Sequence, residues 1–186
     1  DLAEDYPYLD FNRVKVILLE ASSSLLAAFD SSLREATLRR LGQMGVDVRL
    51  NAVVATATPE VVGLKDGTLI PSHTLIWAAG VRAATLAGQL GVPQARGGRV
   101  PVLPTLQLAD APDVFVIGDM AYFEQDGQAL PQVAPVAIQQ GDLVAANLPR
   151  LARGETLKSF VYKDKGSMAT IGRSAAVAQV AGLKLT

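Results

Sequence analysis

The first fifty or so residues alternate between strand and helix patterns, and this alternation constrains the fold more than any other feature. The apolar run RVKVILLEA, residues 13–21, is rich in branched side chains and predicts a buried strand. Asp30 caps the next segment, whose apolar side chains recur at helical spacing until Gly45 ends it. VDVRL, residues 46–50, predicts a second strand. A strand–helix–strand unit of this size predicts parallel strands in a doubly wound sheet.

An antiparallel insertion is expected after this parallel unit. Several short strand patterns follow residue 50, and Asp66-Gly67 between two of them signals a tight hairpin. The run TLIWAAG, residues 74–80, predicts a return to the main sheet, with Trp77 in the core. A short helix is predicted over residues 83–91.

The second half of the chain predicts one more strand–helix pair and a terminal β region. DVFVIGD, residues 113–119, predicts a buried strand that runs into a Gly-Asp turn, and a helix follows from about residue 135 to 152. From residue 159 the pattern alternates as two or three strands around Gly166 and Gly172. The predicted class is therefore α/β: a partial doubly wound, Rossmann-like parallel sheet with an inserted antiparallel meander and a small C-terminal β region.

Composition excludes several classes of function. Seventeen basic and eighteen acidic residues are scattered along the chain, and without a basic block we expect no nucleic-acid partner. Cysteine is absent and His73 is the only histidine, so we expect no metal site, and His73 is expected in an exposed loop. The longest apolar run, TLIWAAGV, is too short to cross a bilayer, and we expect no export signal.

Two acidic residues stand where the apolar strand patterns end. In nucleotide-binding folds an acid at the end of the second strand accepts hydrogen bonds from ribose hydroxyls and repels a 2′-phosphate, so Glu20 would select NADH. Gly118 lets the backbone approach a ligand, whose polyol hydroxyls the Asp119 carboxylate can bind. A loop glutamate and a turn or helix-cap aspartate are the structural alternatives. If both bind nucleotides, their carboxylates are expected to face one crevice.

Small residues mark two further places where a flat ring system could approach. WAAGV, residues 77–81, runs into a glycine, although core packing with a turn glycine is the favoured alternative. APVAIQQG, residues 134–141, opens a helix whose first N–H groups could bind carbonyl or anionic oxygen. A glutamine-rich, solvent-facing helix side is the alternative there.

In order along the chain, these segments resemble the type II NADH dehydrogenases, or alternative NADH:quinone oxidoreductases, of the two-dinucleotide-binding flavoprotein superfamily. VFVIGD marks the superfamily, and APVAIQQG together with KGSMATIGR narrows the resemblance to this branch. The resemblance implies that the intact protein transfers hydride from NADH to FAD and then electrons to quinone. No catalytic acid–base residue is expected in this chain.

The resemblance also implies roles for individual residues. Three are implied to bind NADH: Glu20, Ala79 and Gly80. Four are implied to bind FAD: Gly118, Asp119, Ala137 and Lys165. Gln139 is implied to lie near the quinone, while Pro135 stands where the family usually has a second glutamine. That departure weakens the implied quinone contact and points to a changed quinone pocket.

The resemblance also implies a domain organisation for this sequence. Residues 1–104 correspond to the second half of the NADH-binding domain, residues 105–158 to the C-terminal part of the FAD-binding domain, and residues 159–186 to the start of a C-terminal membrane or dimer module. The glycine-rich phosphate loops lie outside these residues. We therefore expect the chain alone to bind no FAD and to be inactive.

The resemblance places the intact protein in the cytoplasm, peripheral on the inner face of the cell membrane, through segments outside this chain. Strand edges without a partner could pair with those of a second copy, so a homodimer is one expected possibility. Two other functions also stay open at this point. One is a ferredoxin- or nitrite-type reductase of the same superfamily, and the other is a non-catalytic dinucleotide-binding module.

Overall fold

The computed structural model describes residues 5–8, 10, 14–180 and 182–186, which form two compact units. The first unit combines the described residues up to Ile76 with Lys165–Thr186, and the second spans Trp77–Asp164. The predicted domain boundaries at residues 104 and 158 stay a prediction. No helix in the described part of the chain is long and apolar enough to cross a bilayer.

The first unit contains the predicted parallel strand–helix–strand. Strand β1 (Val16–Leu19) pairs in parallel with β2 (Val46–Arg49), and helix α1 (Ser31–Gln43) connects them. Asp30 caps α1, because its carboxylate accepts the Ser32 N–H at 3.0 Å. This part of the sequence prediction is confirmed.

The inserted meander is also confirmed. Strands β3 (Val54–Ala57), β4 (Val61–Leu64) and β5 (Leu69–Pro71) pair antiparallel in chain order. Gly67 takes a φ of +88° in the β4–β5 turn, a conformation that favours glycine. The meander buries a core with partly buried residues of β1 packed against it; its buried members are Ala52, Val62, Leu64 and Ile70.

The terminal β region forms an antiparallel sheet that packs on α1. Its strands are β12 (Ser167–Ile171), β13 (Ala175–Val180) and β14 (Leu183–Leu185). The contact is apolar and is formed by Leu33 of α1 with Ile171 and Val177 of the sheet. The sequence predicted the strands, but it gave no sign that they would pack on α1.

Asp30 links the start of α1 to this sheet by charge. Its carboxylate lies 2.7 Å from the Lys184 Nζ, and its main-chain N–H donates to the Gln179 Oε1 at 3.1 Å. The hydrogen bond from Lys184, followed by those from Ser32, holds the pKa of Asp30 well below its ordinary value.

The depressed pKa of Asp30 gives a testable pH dependence. A carboxyl group whose pKa is lower in the folded state stabilises the protein above its unfolded pKa of about 4, and this stability is lost as the pH falls towards the folded value. Asp30→Asn keeps a capping side chain but removes the charge. We expect the melting temperature of the variant to fall less steeply than that of the wild type below about pH 4. Equal slopes would contradict the assignment.

The second unit is built around one long helix. Helix α2 (Leu86–Gln89) precedes short strands, and α3 (Ala134–Ala152) follows them, with Pro135 in its first turn. Six of these strands are two to five residues long: β6 (Val100–Pro101), β7 (Gln107–Leu108), β8 (Ala111–Phe115), β9 (Ala121–Tyr122), β10 (Glu124–Gln125) and β11 (Gln128–Ala129). Strands β6 and β9 pair in parallel, whereas β7–β8 and β10–β11 are antiparallel.

One strand prediction for this part of the chain is wrong, and a second is only partly right. Residues 74–80 form no strand, and Trp77 is 67% exposed rather than part of the core. The DVFVIGD run contributes to β8, which pairs antiparallel with β7 and leaves Val114 exposed, although Val116 is buried.

The physical reason is that neighbouring elements, not the apolar run itself, bury a strand. Strand β1 illustrates this point: β2 is its one partner within the described residues, and Val16 and Leu18 are exposed. An apolar run predicts burial only when the elements that would cover it are present.

Candidate functional site

The Gly118–Asp119 turn follows β8 in the second unit. Ile117 is extended, and Gly118 then takes a φ of +65°, in the left-handed region that favours glycine. Residues Gly118–Met120 form one 3-10 turn, and the Asp119 side chain is exposed. The turn therefore presents a carboxylate to the solvent just after a strand.

Helix α3 packs against this turn. A Cβ atom added at Gly118 would lie 3.5 Å from the Ala137 Cβ, so the turn and the first part of α3 are in close contact. Gln140, one helical turn further along, is 1% exposed, and its Oε1 accepts the Gly118 N–H at 2.7 Å. The structure thus brings together three residues that the sequence placed at a flavin site: Gly118, Asp119 and Ala137.

The start of α3 offers fewer N–H groups than its sequence suggested. Pro135 has no N–H, and the N–H groups of Val136 and Ala137 donate to the Val133 carbonyl at 3.1 and 3.3 Å. Val136 and Ala137 therefore offer no free N–H group to a ligand.

Glu20 stands in the first unit, directly after β1. Its main chain extends the parallel pairing, with its N–H donating to the Arg49 carbonyl at 2.9 Å. One carboxylate oxygen, Oε1, accepts the Ser22 N–H at 2.7 Å, and this bond lowers the pKa of Glu20. No salt bridge to Glu20 occurs among the described residues. Its charge is therefore available to hydroxyl donors of a ligand.

The remaining residues predicted to bind NADH or FAD are exposed and have few contacts with neighbouring residues. Ala79 and Gly80 are exposed and lie outside any strand, and Gly80 has a φ of +97° with open space around it. Lys165 and His73 are exposed, as expected for His73. Groups of three or more potential metal ligands are absent from the part of the chain described here.

Residues 7–141 match the pyridine nucleotide-disulphide oxidoreductase family. The chain belongs to that family. Two curated relatives are named type II NADH:quinone oxidoreductase. The one from Haemophilus influenzae is 35% identical over 174 residues, which are 92% of this chain and 39% of that protein. The one from Mycobacterium tuberculosis is 37% identical over an alignment of 186 positions that covers 94% of this chain and 39% of that protein.

A solved structure shares the fold. NDH2 from Plasmodium falciparum, in complex with NADH, superposes with a TM-score of 0.84 at 16% identity, covering 99% of this chain and 53% of that one. At that identity the likeness establishes the fold alone, and it confirms the predicted α/β, Rossmann-like class. The chain spans about 39% of the length of its two curated relatives.

In this pyridine nucleotide-disulphide oxidoreductase chain, the Gln139 side chain is paired with main chain. Its Nε2 donates to the Lys163 carbonyl and its Oε1 accepts the Lys163 N–H, both at 3.0 Å. The amide is therefore not pointing freely at a ligand, and its quinone role stays a prediction. Sequence reasoning placed Gln139 correctly on α3 but could not identify this partner.

Two further side-chain amides make the same two-bond pairing. Asn147 pairs with the main chain of Lys158 at 2.9 and 2.9 Å, and Gln125 pairs with that of Tyr162 at 2.8 and 3.3 Å. We call residues 158–163 the amide-held segment. It forms no regular strand, and the amides take the place of a neighbouring strand. Sequence reasoning missed this arrangement; its one signal was an asparagine on the apolar helix α3.

Proposed function

We propose that the protein containing this chain is an FAD-dependent NADH:quinone oxidoreductase. The observation that carries the proposal is the Gly118–Asp119 turn, held against Ala137 at the start of α3. The names of the two curated relatives support the same activity. When bound, the flavin supplies the two-electron exchange between NADH and quinone.

The residues at the turn fit the ribityl part of a flavin. A carboxylate accepts hydrogen bonds from hydroxyls but repels a phosphate, so Asp119 suits the ribityl chain better than the diphosphate. Gly118 removes the side chain that would otherwise stand between the turn and α3, and Ala137 offers a small apolar surface to the ring. The role of Lys165 in FAD binding stays a prediction.

For NADH, we propose that Glu20 accepts hydrogen bonds from the adenosine ribose, while Ala79 and Gly80 lie at the nicotinamide. The lowered pKa keeps Glu20 charged, which strengthens these bonds and disfavours a 2′-phosphate. Glycine at position 80, with no atom within 4 Å of an added Cβ, leaves room for a ring to approach.

For the quinone, we propose a pocket beside Gln139 and Pro135. The pairing of Gln139 with Lys163 holds the amide-held segment on α3, and Pro135 adds an apolar wall where the family usually has an amide. An apolar wall suits a quinone ring, because ligand pockets are mostly apolar with few polar contacts.

Replacing Glu20 with glutamine tests the NADH site. Loss of the charge should lower kcat/KM for NADH about tenfold. The ratio of kcat/KM for NADH to that for NADPH should fall by a similar factor. Asp66→Asn is the matched control, because Asp66 also accepts the N–H two residues ahead, from Thr68 at 2.9 Å, but lies in a hairpin turn. Equal effects of the two variants on NADH kinetics would refute the role of Glu20.

The whole function is tested with the full-length protein that contains these residues. We expect NADH to bleach the bound flavin and quinone to restore its absorbance, with little reduction of ferredoxin. Preference for ferredoxin would favour the reductase alternative, which the names of the curated relatives do not support. NADH binding by calorimetry without flavin reduction would instead favour a non-catalytic module.

We also propose a cytoplasmic location, peripheral on the inner face of the cell membrane, and a homodimer. The apolar quinone is the reason for the first, and the resemblance of residues 159–186 to the start of a membrane or dimer module is the reason for the second. Sedimentation with lipid vesicles and light scattering of the full-length protein test the two proposals. A protein that stays monomeric and unbound would refute both.

A further inference from the structure

Gln140 is a polar residue in a place where helices usually present apolar side chains. It is 1% exposed, and burial of an amide costs free energy unless its hydrogen bonds are satisfied. Its neighbour Gln139 makes its bonds with Lys163 instead. The Gln140 Oε1 accepts a hydrogen bond from the Gly118 N–H at 2.7 Å, and this bond offsets the cost of burying the amide.

Three main-chain groups of the Gly118–Asp119 turn have hydrogen-bond partners in the described structure. Gln140 accepts the Gly118 N–H, and the Gly118 carbonyl accepts the Ala121 N–H. The Asp119 carbonyl accepts the Gln132 Nε2 at 2.9 Å. Two glutamine amides therefore hold the turn, one from inside α3 and one from just before it.

The Asp119 side chain is exposed, so its carboxylate points outward from the turn. Residues Gly118–Met120 form a 3-10 turn outside the strands, so the Gly118 N–H has no strand partner and is bonded by a side-chain acceptor instead. Without that acceptor the turn would have to reorient its N–H towards water, and Asp119 would move with it.

We propose that Gln140 is a positioning residue for the flavin: it does not contact the cofactor but fixes Asp119 in the geometry that binds it. The inference rests on the proposed role of Asp119 in FAD binding. Gln140 would thus affect FAD affinity only by fixing the conformation of the Gly118–Asp119 turn.

The test is a double-mutant cycle in the full-length protein, with FAD affinity measured by flavin fluorescence after reconstitution of the apoprotein. Gln140→Leu keeps the side-chain volume but removes the acceptor. We expect it to raise the Kd for FAD about tenfold. Asp119→Asn should raise the Kd at least as much. In the double variant, the Gln140 change should add less than about twofold.

Controls separate this role from a loss of folding. Gln128→Leu changes an exposed glutamine of the same unit and should leave the Kd unchanged. Gln140→Glu keeps an acceptor oxygen, and because burial disfavours the charged carboxylate, it should restore part of the affinity lost in Gln140→Leu at acidic pH, where the carboxyl is protonated. If Gln140→Leu does not fold, Gln140→Met, which follows the unbranched shape of glutamine but lacks its acceptor oxygen, replaces it in the cycle.

Each outcome decides one point. If Asp119→Asn weakens FAD binding and Gln140→Leu does not, the positioning role is overturned while the proposed function stands. If the two effects multiply in the double variant, Gln140 acts on stability alone and the positioning role is again overturned. If Asp119→Asn has no effect, the flavin role of Asp119 fails, and the role of Gln140 fails with it.

Discussion

Replacing Gly166 with alanine should destabilise the first unit by about 4 kcal/mol, combining backbone strain with a steric clash. Gly166, directly before β12, has a φ of +96°, in a region that alanine rarely adopts. An added Cβ would meet the carbonyl oxygen of Gln179 and would lie 2.8 Å from the Val180 Cα. Both are main-chain atoms of β13, so relief of the clash would disturb the β12–β13 pairing.

Urea unfolding followed by circular dichroism measures this loss, and Gly182→Ala is the matched control. Gly182 belongs to the same sheet region and has a φ of +83°, but no atom lies within 4 Å of an added Cβ. Its replacement should therefore cost only the backbone strain, about 1 kcal/mol. If the two alanine variants lose the same stability, the clash with β13 is not the cause.

Replacing Asn147 with leucine should destabilise the second unit by about 3 kcal/mol, because both main-chain polar groups of Lys158 lose their partner. Asn147 is fully buried and bonds the Lys158 N–H and carbonyl at 2.9 Å each. Leucine has the same branched shape and leaves no cavity, so the loss reports the missing hydrogen bonds together with crowding by its larger methyl groups. The amide-held segment should detach at its first residue.

The matched control for Asn147 is Gln125→Leu, measured by the same unfolding experiment. Gln125 makes the same two-bond pairing with Tyr162, but it is only partly buried. Water can replace its bonds, so we expect a loss of about 1 kcal/mol or less. Faster hydrogen exchange in residues 158–163 should accompany the Asn147 change. Equal losses in the two variants would show that burial does not set the cost.

Local features of the sequence predicted most of the secondary structure. The cap at Asp30, the hairpin at Asp66-Gly67 and the Gly118 turn each depend on residues next to one another. Their side-chain and backbone preferences act within one helical turn or one hairpin, so no tertiary contact is needed to predict them.

Predictions that depended on distant neighbours were less successful. Trp77 was expected in the core but is exposed, because its apolar run has no strand partner among the described residues. Gln139 and Gln140 are adjacent and chemically identical, yet one bonds Lys163 and the other bonds Gly118. Nothing in the sequence distinguishes them, since their partners lie 24 and 22 positions away.

By itself, the sequence determined the α/β class, the glycine–aspartate turn and the acid after β1, because each follows from short-range preferences. Only the tertiary structure decided what holds these features in place. It packed the terminal sheet on α1 and directed Gln140 to the turn. The reason is that an amide or an apolar face acquires its role from the group it meets, and such partners are distant in the chain.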